Sequence, residues 1–382
     1  MSRPPQARCG AGVGGAQRER GSNVADVTDA THAPDSRVRA RTSGGLGHLT
    51  LDRPEAINAL DAGMIRDLDA ALDAWSTHPD VQLVLLDGSG ERGFCAGGDV
   101  RGLYEQIVAG EADETGGFFR EEYALNARLA EYPKPVVVFA DGITMGGGIG
   151  LAGHAAIRIV TERSRLAMPE TRIGFTPDVG GTWLLAHAPG RLGEYLGLTG
   201  ASMTASDAIY AGFADHFVPS DRLSSLAEAL ETRADPSSPT ELVLLFDESI
   251  EPGRLRADQV WIDDAFSADT VAEIIDRLRA SDADAASVTA DTLEQLSPTA
   301  LSVTLAAVRA ARELPDLRAA LAQEYALVMW FATTQPDLRE GIRAQLVDKD
   351  RNPKWDPAAL ADVPAERPGE ALRHSPGIPL WS

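Results

Sequence analysis

Three short segments of this chain bring together residue types that can stabilise a developing negative charge and move protons. Phe94-Cys95-Ala96-Gly97-Gly98-Asp99-Val100 follows an apolar run and opens a helix-like stretch, and Gly146-Gly147-Gly148 does the same after Val136-Val137-Val138-Phe139-Ala140. Glycine lacks a Cβ and tolerates positive φ, so such turns can leave unpaired backbone N–H groups at a helix start, open to a ligand. Two such groups converging on one oxygen form an oxyanion hole. Taken singly, each turn reads first as a plain connection or a phosphate cradle, and Asp99 reads as a helix N-cap. Neither has the Gly-x-x-x-x-Gly-Lys-Ser/Thr spacing of a nucleotide loop, and Gly146 to Gly150 lacks the Gly-x-Gly-x-x-Gly of a dinucleotide site.

The third segment runs from Met168 to Gly181 and places Glu170 and Asp178 in a loop rich in Gly and Pro, just before a helical pattern around Trp183 to Ala188. Two carboxylates so placed can act as nucleophile or base plus a second acid/base group, provided apolar surroundings separate their pKa values. Alone, the same residues read as a turn acid and an acid at a helix start. The seven histidines are scattered, with no pair at ligand spacing, and no Gly-x-Ser-x-Gly elbow is present, so the sequence offers neither a metal site nor a serine triad.

Strands and helices must position these turns. His48-Leu49-Thr50-Leu51 alternates like a short strand, and Met64, Ile65, Leu68, Leu72 and Trp75 recur at helical spacing. Val81 to Leu86 and Ile157-Arg158-Ile159-Val160 read as further strands, and Leu192 to Thr199 as a helix. Alternation of strand and helix predicts an α/β core with a mostly parallel sheet over residues 45–222. Residues 223–355 are mainly helical in pattern, with segments at Thr270 to Leu278, Pro298 to Glu313 and Asp316 to Phe331. The Pro-rich stretch 356–382 is expected to be extended. Residues 1–44, rich in Gly, Ala, Arg and Ser, read as a disordered leader rather than a transit peptide, since no amphipathic helix is evident.

Composition narrows the class of partner. A chain of 382 residues with 44% hydrophobic content can bury a large core, and a net charge of −22 disfavours nucleic acid or an anionic membrane. A phosphate-bearing ligand must then be held by local groups. Only Cys9 and Cys95 are present, which fits a reducing interior such as the cytoplasm. No apolar stretch is long enough to span a bilayer.

In this order and spacing, the three segments resemble the crotonase (enoyl-CoA hydratase/isomerase) superfamily, over about Gly47 to Pro219. The resemblance implies a ββα spiral core and places the thioester carbonyl between the N–H groups of Gly98 and Gly147. Hydratases of the family use two glutamates; here the first position is Gly150 and only Glu170 remains. That departure, with Asp178-Val179-Gly180-Gly181 and the C-terminal Gln323-Glu324-Tyr325 and Asp348-Lys349-Asp350-Arg351-Asn352-Pro353-Lys354-Trp355, resembles the 3-hydroxyisobutyryl-CoA hydrolase branch. The resemblance implies hydrolysis of a short-chain acyl-CoA, with Glu170 as nucleophile or general base and Asp178 as its acid/base partner. Coenzyme A would then be part of the substrate, with no separate cofactor and no metal. Arg53, Ala56, Asn58, Ala96, Gly97, Asp99, Arg101, Gly146 and Gly148 are the expected substrate-binding positions, Arg53 and Arg101 being candidates for the diphosphate or plain surface charges. A homo-oligomer is compatible with this reading. A hydratase or isomerase working with one carboxylate, and a non-catalytic acyl-CoA-binding protein, are the alternatives.

Overall fold

The run Val136–Ala140 carries no polar side chain and is buried along its whole length, as a strand covered on both faces must be. The computed structural model, which describes residues 36–232 and 238–381, places this run in a six-stranded sheet. In chain order the core contains β1 (Val38–Ser43), β2 (Leu46–Leu51), α1 (Ala62–Ser76), β3 (Leu83–Gly88), β4 (Gly93–Cys95), α2 (Val100–Ala109) and α3 (Ala112–Ala130). It continues with β5 (Val136–Ala140), β6 (Ile143–Met145), α4 (Gly147–Ala152), β7 (Ile157–Val160), β8 (Arg165–Ala167), α5 (Gly181–His187), α6 (Leu192–Thr199) and β9 (His216–Phe217). The large sheet has the order β1-β2-β3-β5-β7-β9, and a second sheet has the order β4-β6-β8. Only the β1–β2 pair is antiparallel.

Three times in succession a large-sheet strand is followed at once by a small-sheet strand, as β3–β4, β5–β6 and β7–β8. This is the ββα spiral of the crotonase fold, and it stacks the turns after β4, β6 and β8 at one end of the small sheet. Alternating side chains divide the large sheet between two packing layers. Leu49, Leu51, Val84, Leu86 and Val138 meet α1 and α3, while Leu83, Leu85, Val137, Phe139 and Ile159 pack against the helix Leu223–Thr232 through Leu226 and Leu230.

Two boundaries differ from the sequence reading. Val38–Ser43, assigned to the leader, is an edge strand in register with β2 from Val38↔Leu51 to Ser43↔Leu46. Its arginines hid it, because an edge strand gains its order from backbone pairing and one buried anchor, here Val38, rather than from an apolar face. Residues 1–35 of that expected leader lie outside the described residues. The tail from 356 is not simply extended: it forms a 3-10 turn at Leu360–Asp362 and a helix at Arg367–Leu372, begun by Pro368 and anchored by the fully buried Ala371. Farther on, the Trp381 indole N–H donates to Arg318 O at 2.9 Å.

C-terminal helices Arg254–Phe266, Val271–Ala280, Pro298–Ala311 and Leu317–Thr334 share the main apolar core rather than forming a separate one. Their hinge with the α/β part is ionic as well as apolar. Glu194 on α6 has no solvent exposure and accepts from Arg312 at 2.7 and 2.6 Å and from Arg191 at 2.9 Å.

Candidate active site

Backbone pairing around β4 singles out one amide. Ala96 N donates to Ile57 O and Asp99 N to Leu60 O, while Leu60 N donates to Gly97 O, so the segment 57–60 zips onto 96–99 and skips the Gly98 nitrogen. Gly97 makes the turn at φ +107°, a conformation open to glycine. At the neighbouring turn Gly146 sits at φ +47°, and Gly147, as the first residue of α4, has no intrahelical acceptor. Among the described residues neither amide donates to a protein acceptor. The turns abut: a Cβ built on Gly147 would lie 3.2 Å from the Gly98 nitrogen, and one on Gly97 would lie 3.6 Å from the Gly147 nitrogen.

A cleft of about 570 Å³ opens over these amides, within the range of small-molecule sites. Its lining includes Arg53, Ala56, Ala96, Gly97, Gly98, Asp99, Arg101, Gly146, Gly147, Glu170 and Asp178. Glu170 begins a single 3-10 turn after β8, fixed by Thr171, whose hydroxyl donates to Leu198 O at 3.0 Å. The Glu170 Oε1 lies 3.2 Å from a Cβ position on Gly146, beside the two free amides. Asp178 accepts from the Tyr123 hydroxyl at 2.7 Å.

Two expected substrate-binding residues do not reach the cleft. Asn58 is fully buried; its Oδ1 accepts from Arg53 N, and its Nδ2 donates to Ser89 O and Phe94 O at 3.0 Å each. It knits the 53–60 segment to β4 and has no capacity left for a ligand. Gly148 faces the other way, where a Cβ would lie 2.5 Å from Cys95 O. Asp99 makes no capping bond; its carboxylate instead accepts from Arg53 at 3.0 Å. Arg53 is thereby committed to Asp99 and to Ala59 O, whereas Arg101 is exposed at the rim. Lys349, from the C-terminal region, also lines the cleft and stands at φ +57°.

The sequence reading missed Glu122 and Tyr123. Both lie on the buried face of α3, and Glu122 Oε1 would sit 2.6 Å from a Cβ on Gly147. The available signal was a carboxylate at the helical spacing of Phe118, Phe119 and Asn126, where an apolar side chain belongs unless chemistry intervenes. Glu122 Oε1 and Glu170 Oε2 are buried without a protein partner among the described residues.

Electrostatically Glu122, Glu170 and Asp178 form a carboxylate cluster whose pKa values no basic group lowers, the arginines and lysine of the cleft lining notwithstanding. Burial, and then the charge of Asp178, push Glu122 and Glu170 well above the ordinary glutamate range. Burial raises Asp178 to about 7, opposed by the Tyr123 hydrogen bond that favours its charged form. What the arrangement offers is a pair of aimed amide donors, a carboxyl beside them, and two further carboxyls that burial helps to hold protonated, Asp178 among them at about 7.

Fold and site together define an acyl-CoA enzyme of the crotonase type, and the chain belongs to the enoyl-CoA hydratase/isomerase family, whose model matches residues 46–371. Among its curated relatives is a protein of Rattus norvegicus named 3-hydroxyisobutyryl-CoA hydrolase, mitochondrial, 39% identical over an alignment of 348 residues, with 88% of each chain covered. Among solved structures, one described as a carnitinyl-CoA dehydratase from Mycobacterium thermoresistibile superposes with a TM-score of 0.85 at 45% identity, covering 91% of this chain and 98% of that one. Another, described as an enoyl-CoA hydratase from Rhodobacter sphaeroides 2.4.1, gives 0.82 at 44% identity, covering 89% and 98%. No helix of the described residues is long and apolar enough to cross a membrane.

Proposed function

We propose that this protein hydrolyses a short-chain acyl-CoA thioester, 3-hydroxyisobutyryl-CoA being the first candidate, to the free acid and CoA. The observation that carries the reading is Glu170 beside two adjacent, unpaired amides, with no second glutamate at position 150. The thioester oxygen accepts from Gly98 N–H and Gly147 N–H, each donor contributing on the order of 3 kcal/mol as charge develops on that oxygen. Glu170 either adds to the carbonyl carbon or takes a proton from a water that does so. The C–S bond then breaks, and the CoA sulfur leaves with a proton supplied through the carboxyl cluster, with Asp178 as the acid/base partner. In the nucleophilic variant, water cleaves the resulting acyl-Glu170 anhydride.

Names among the relatives support the hydrolase reading, and the surroundings of Gly150 support it independently. A Cβ there would lie 2.7 Å from the Val179 Cβ and 2.8 Å from the Asn126 Nδ2, so the place of a second hydratase glutamate is already filled. The names of the two solved structures favour hydration or dehydration instead, and crotonyl-CoA hydration without CoA release is the outcome that would establish that alternative. Tight acyl-CoA binding with no turnover would mark a binding protein.

The experiment is free-thiol release over a panel of acyl-CoA substrates. Glu170→Gln should lower kcat by about 10²–10⁴-fold; turnover close to that of the unaltered protein would remove Glu170 from the mechanism. A homo-oligomer is compatible with this reading. A reducing compartment is part of the proposal, supported by the buried free thiol of Cys95; we place the protein in the cytoplasm, whereas several relatives are named mitochondrial.

A further inference from the structure

The loop that delivers Asp178 to the cleft is held in a conformation that its own residues disfavour. Val179 is β-branched and buried, yet it stands at φ +55°, and Gly180 follows at +79°. Such a backbone persists only where its neighbours over-determine it. His154, just past α4, meets Val179 O through Nε2 at 2.8 Å. A carbonyl only accepts, so Nε2 carries the hydrogen, and burial keeps the ring neutral by lowering its pKa to about 4. The bare surface of Gly150 receives the Val179 side chain. From the opposite side comes Glu324, on the helix Leu317–Thr334 and fully buried. Its carboxylate accepts from Gly180 N at 2.6 Å, Thr182 N at 2.8 Å and Thr182 Oγ1 at 2.5 Å.

We propose that Glu324 is a positioning residue: with His154 opposite, its carboxylate locks the backbone of residues 179–182 so that Asp178 is held facing the cleft. Glu324 does not line the cleft, so it acts on the reaction through Asp178. Burial raises Glu324 to about 8, opposed by the hydrogen bonds from Thr182 and Gly180, which favour the charged form. The reason for a carboxylate here is stoichiometric. Three donors converge on two oxygens, a set that glutamine cannot accept, because its NH₂ would face one of the N–H groups. The helix Leu317–Thr334 thus reaches the active-site loop through this contact, although Glu324 lies more than a hundred residues from Asp178 in sequence. Only the kinetic consequence rests on the hydrolase reading.

Hydrogen exchange and thiol release on the full chain test it together, using Glu324→Gln. Exchange should quicken in peptides spanning 178–184 and stay unchanged elsewhere. The kcat per folded molecule should fall about tenfold or more, as for a misplaced catalytic group, with KM moving less than about twofold. Unchanged exchange in those peptides, protection lost evenly across the chain, an unchanged kcat, or a loss carried entirely by KM would each overturn the assignment. Should Glu324→Gln fail to fold, Thr182→Val removes only the hydroxyl donor and is read by the same criteria. If the unaltered protein releases no CoA from any acyl-CoA, the hydrolase reading falls while the exchange result still decides the clamp.

Discussion

Glu122, Glu170 and Asp178 are buried side chains of one cleft, and no cation contributes to the shift of any of them. A carboxyl whose pKa is higher folded than unfolded binds more protons in the folded state between the two values, so its contribution to stability declines as pH rises through that window. For Glu122 the window opens at the ordinary value of 4.5 and extends upward, since burial and Asp178 raise it well above that. Its facing titratable neighbours are Cys95, Tyr123 and Asp178. Glu122→Gln removes one such proton, and the fall of stability with pH above 4.5 should become shallower by up to about 1.4 kcal/mol per pH unit. Urea titrations at a series of pH values give that slope directly. A variant with the same slope as the parent would mean that Glu122 titrates normally and that its isolation from water is overstated.

At the scale of elements, α3 and α4 face each other across Gly150, and the two helices approach because one side chain is missing. Introducing the hydratase-like Gly150→Glu should therefore destabilise the protein by about 1–3 kcal/mol through overpacking against Asn126 and Val179. Hydration of crotonyl-CoA should not appear, because a carboxylate at that place displaces Val179 and with it Asp178. Pairing it with Asn126→Ala should recover part of the lost thermal stability. Full stability in the single variant, or hydration gained by it, would show that the helix pair can part without cost. Asn126 lies at this contact, buried with neither side-chain polar atom hydrogen-bonded to a protein group among the described residues.

Across the whole molecule, the α/β core and the C-terminal helices meet at the Glu194 cluster, a carboxylate with no exposure whose closest partners are Arg312 and Arg191. Removing one partner of a buried pair strands the other. Arg312→Met should cost about 2–3 kcal/mol of stability, less than for an isolated pair because Arg191 and Arg309 remain nearby. Denaturant unfolding measures the loss, while thiol release by the folded fraction should keep its kcat, since the cluster lies outside the cleft lining. A kcat that falls with Arg312→Met would mean that the two regions are coupled more widely than through the Glu324 clamp.

Local pattern alone was enough for the repeated strand–turn–helix units, because a strand buried on both faces and a glycine-rich turn each leave a mark on a few neighbouring residues. Ile157–Val160 and Leu192–Thr199 have the bounds their apolar spacing suggests. The two glycine turns and the Glu170–Asp178 pair were visible for the same reason, being fixed by turns a few residues long, whereas the choice of Gly98 and Gly147 as donors and the roles of the two carboxylates came from the resemblance to the crotonase superfamily. Tyr123 and His154 were not visible, since each meets the site through a contact between distant elements; Glu122 left only its helical spacing among apolar neighbours, and Glu324 stood in a segment noted for its resemblance without any sign of what it touches. Asn58 shows the reverse: it stands in a segment that reads as ligand-facing, yet its side chain turns inward and its Nδ2 donates to the backbone carbonyls of Ser89, Gly93 and Phe94. Which side chains face the cleft is decided by packing between distant segments, and sequence spacing reports only what lies within a turn or two.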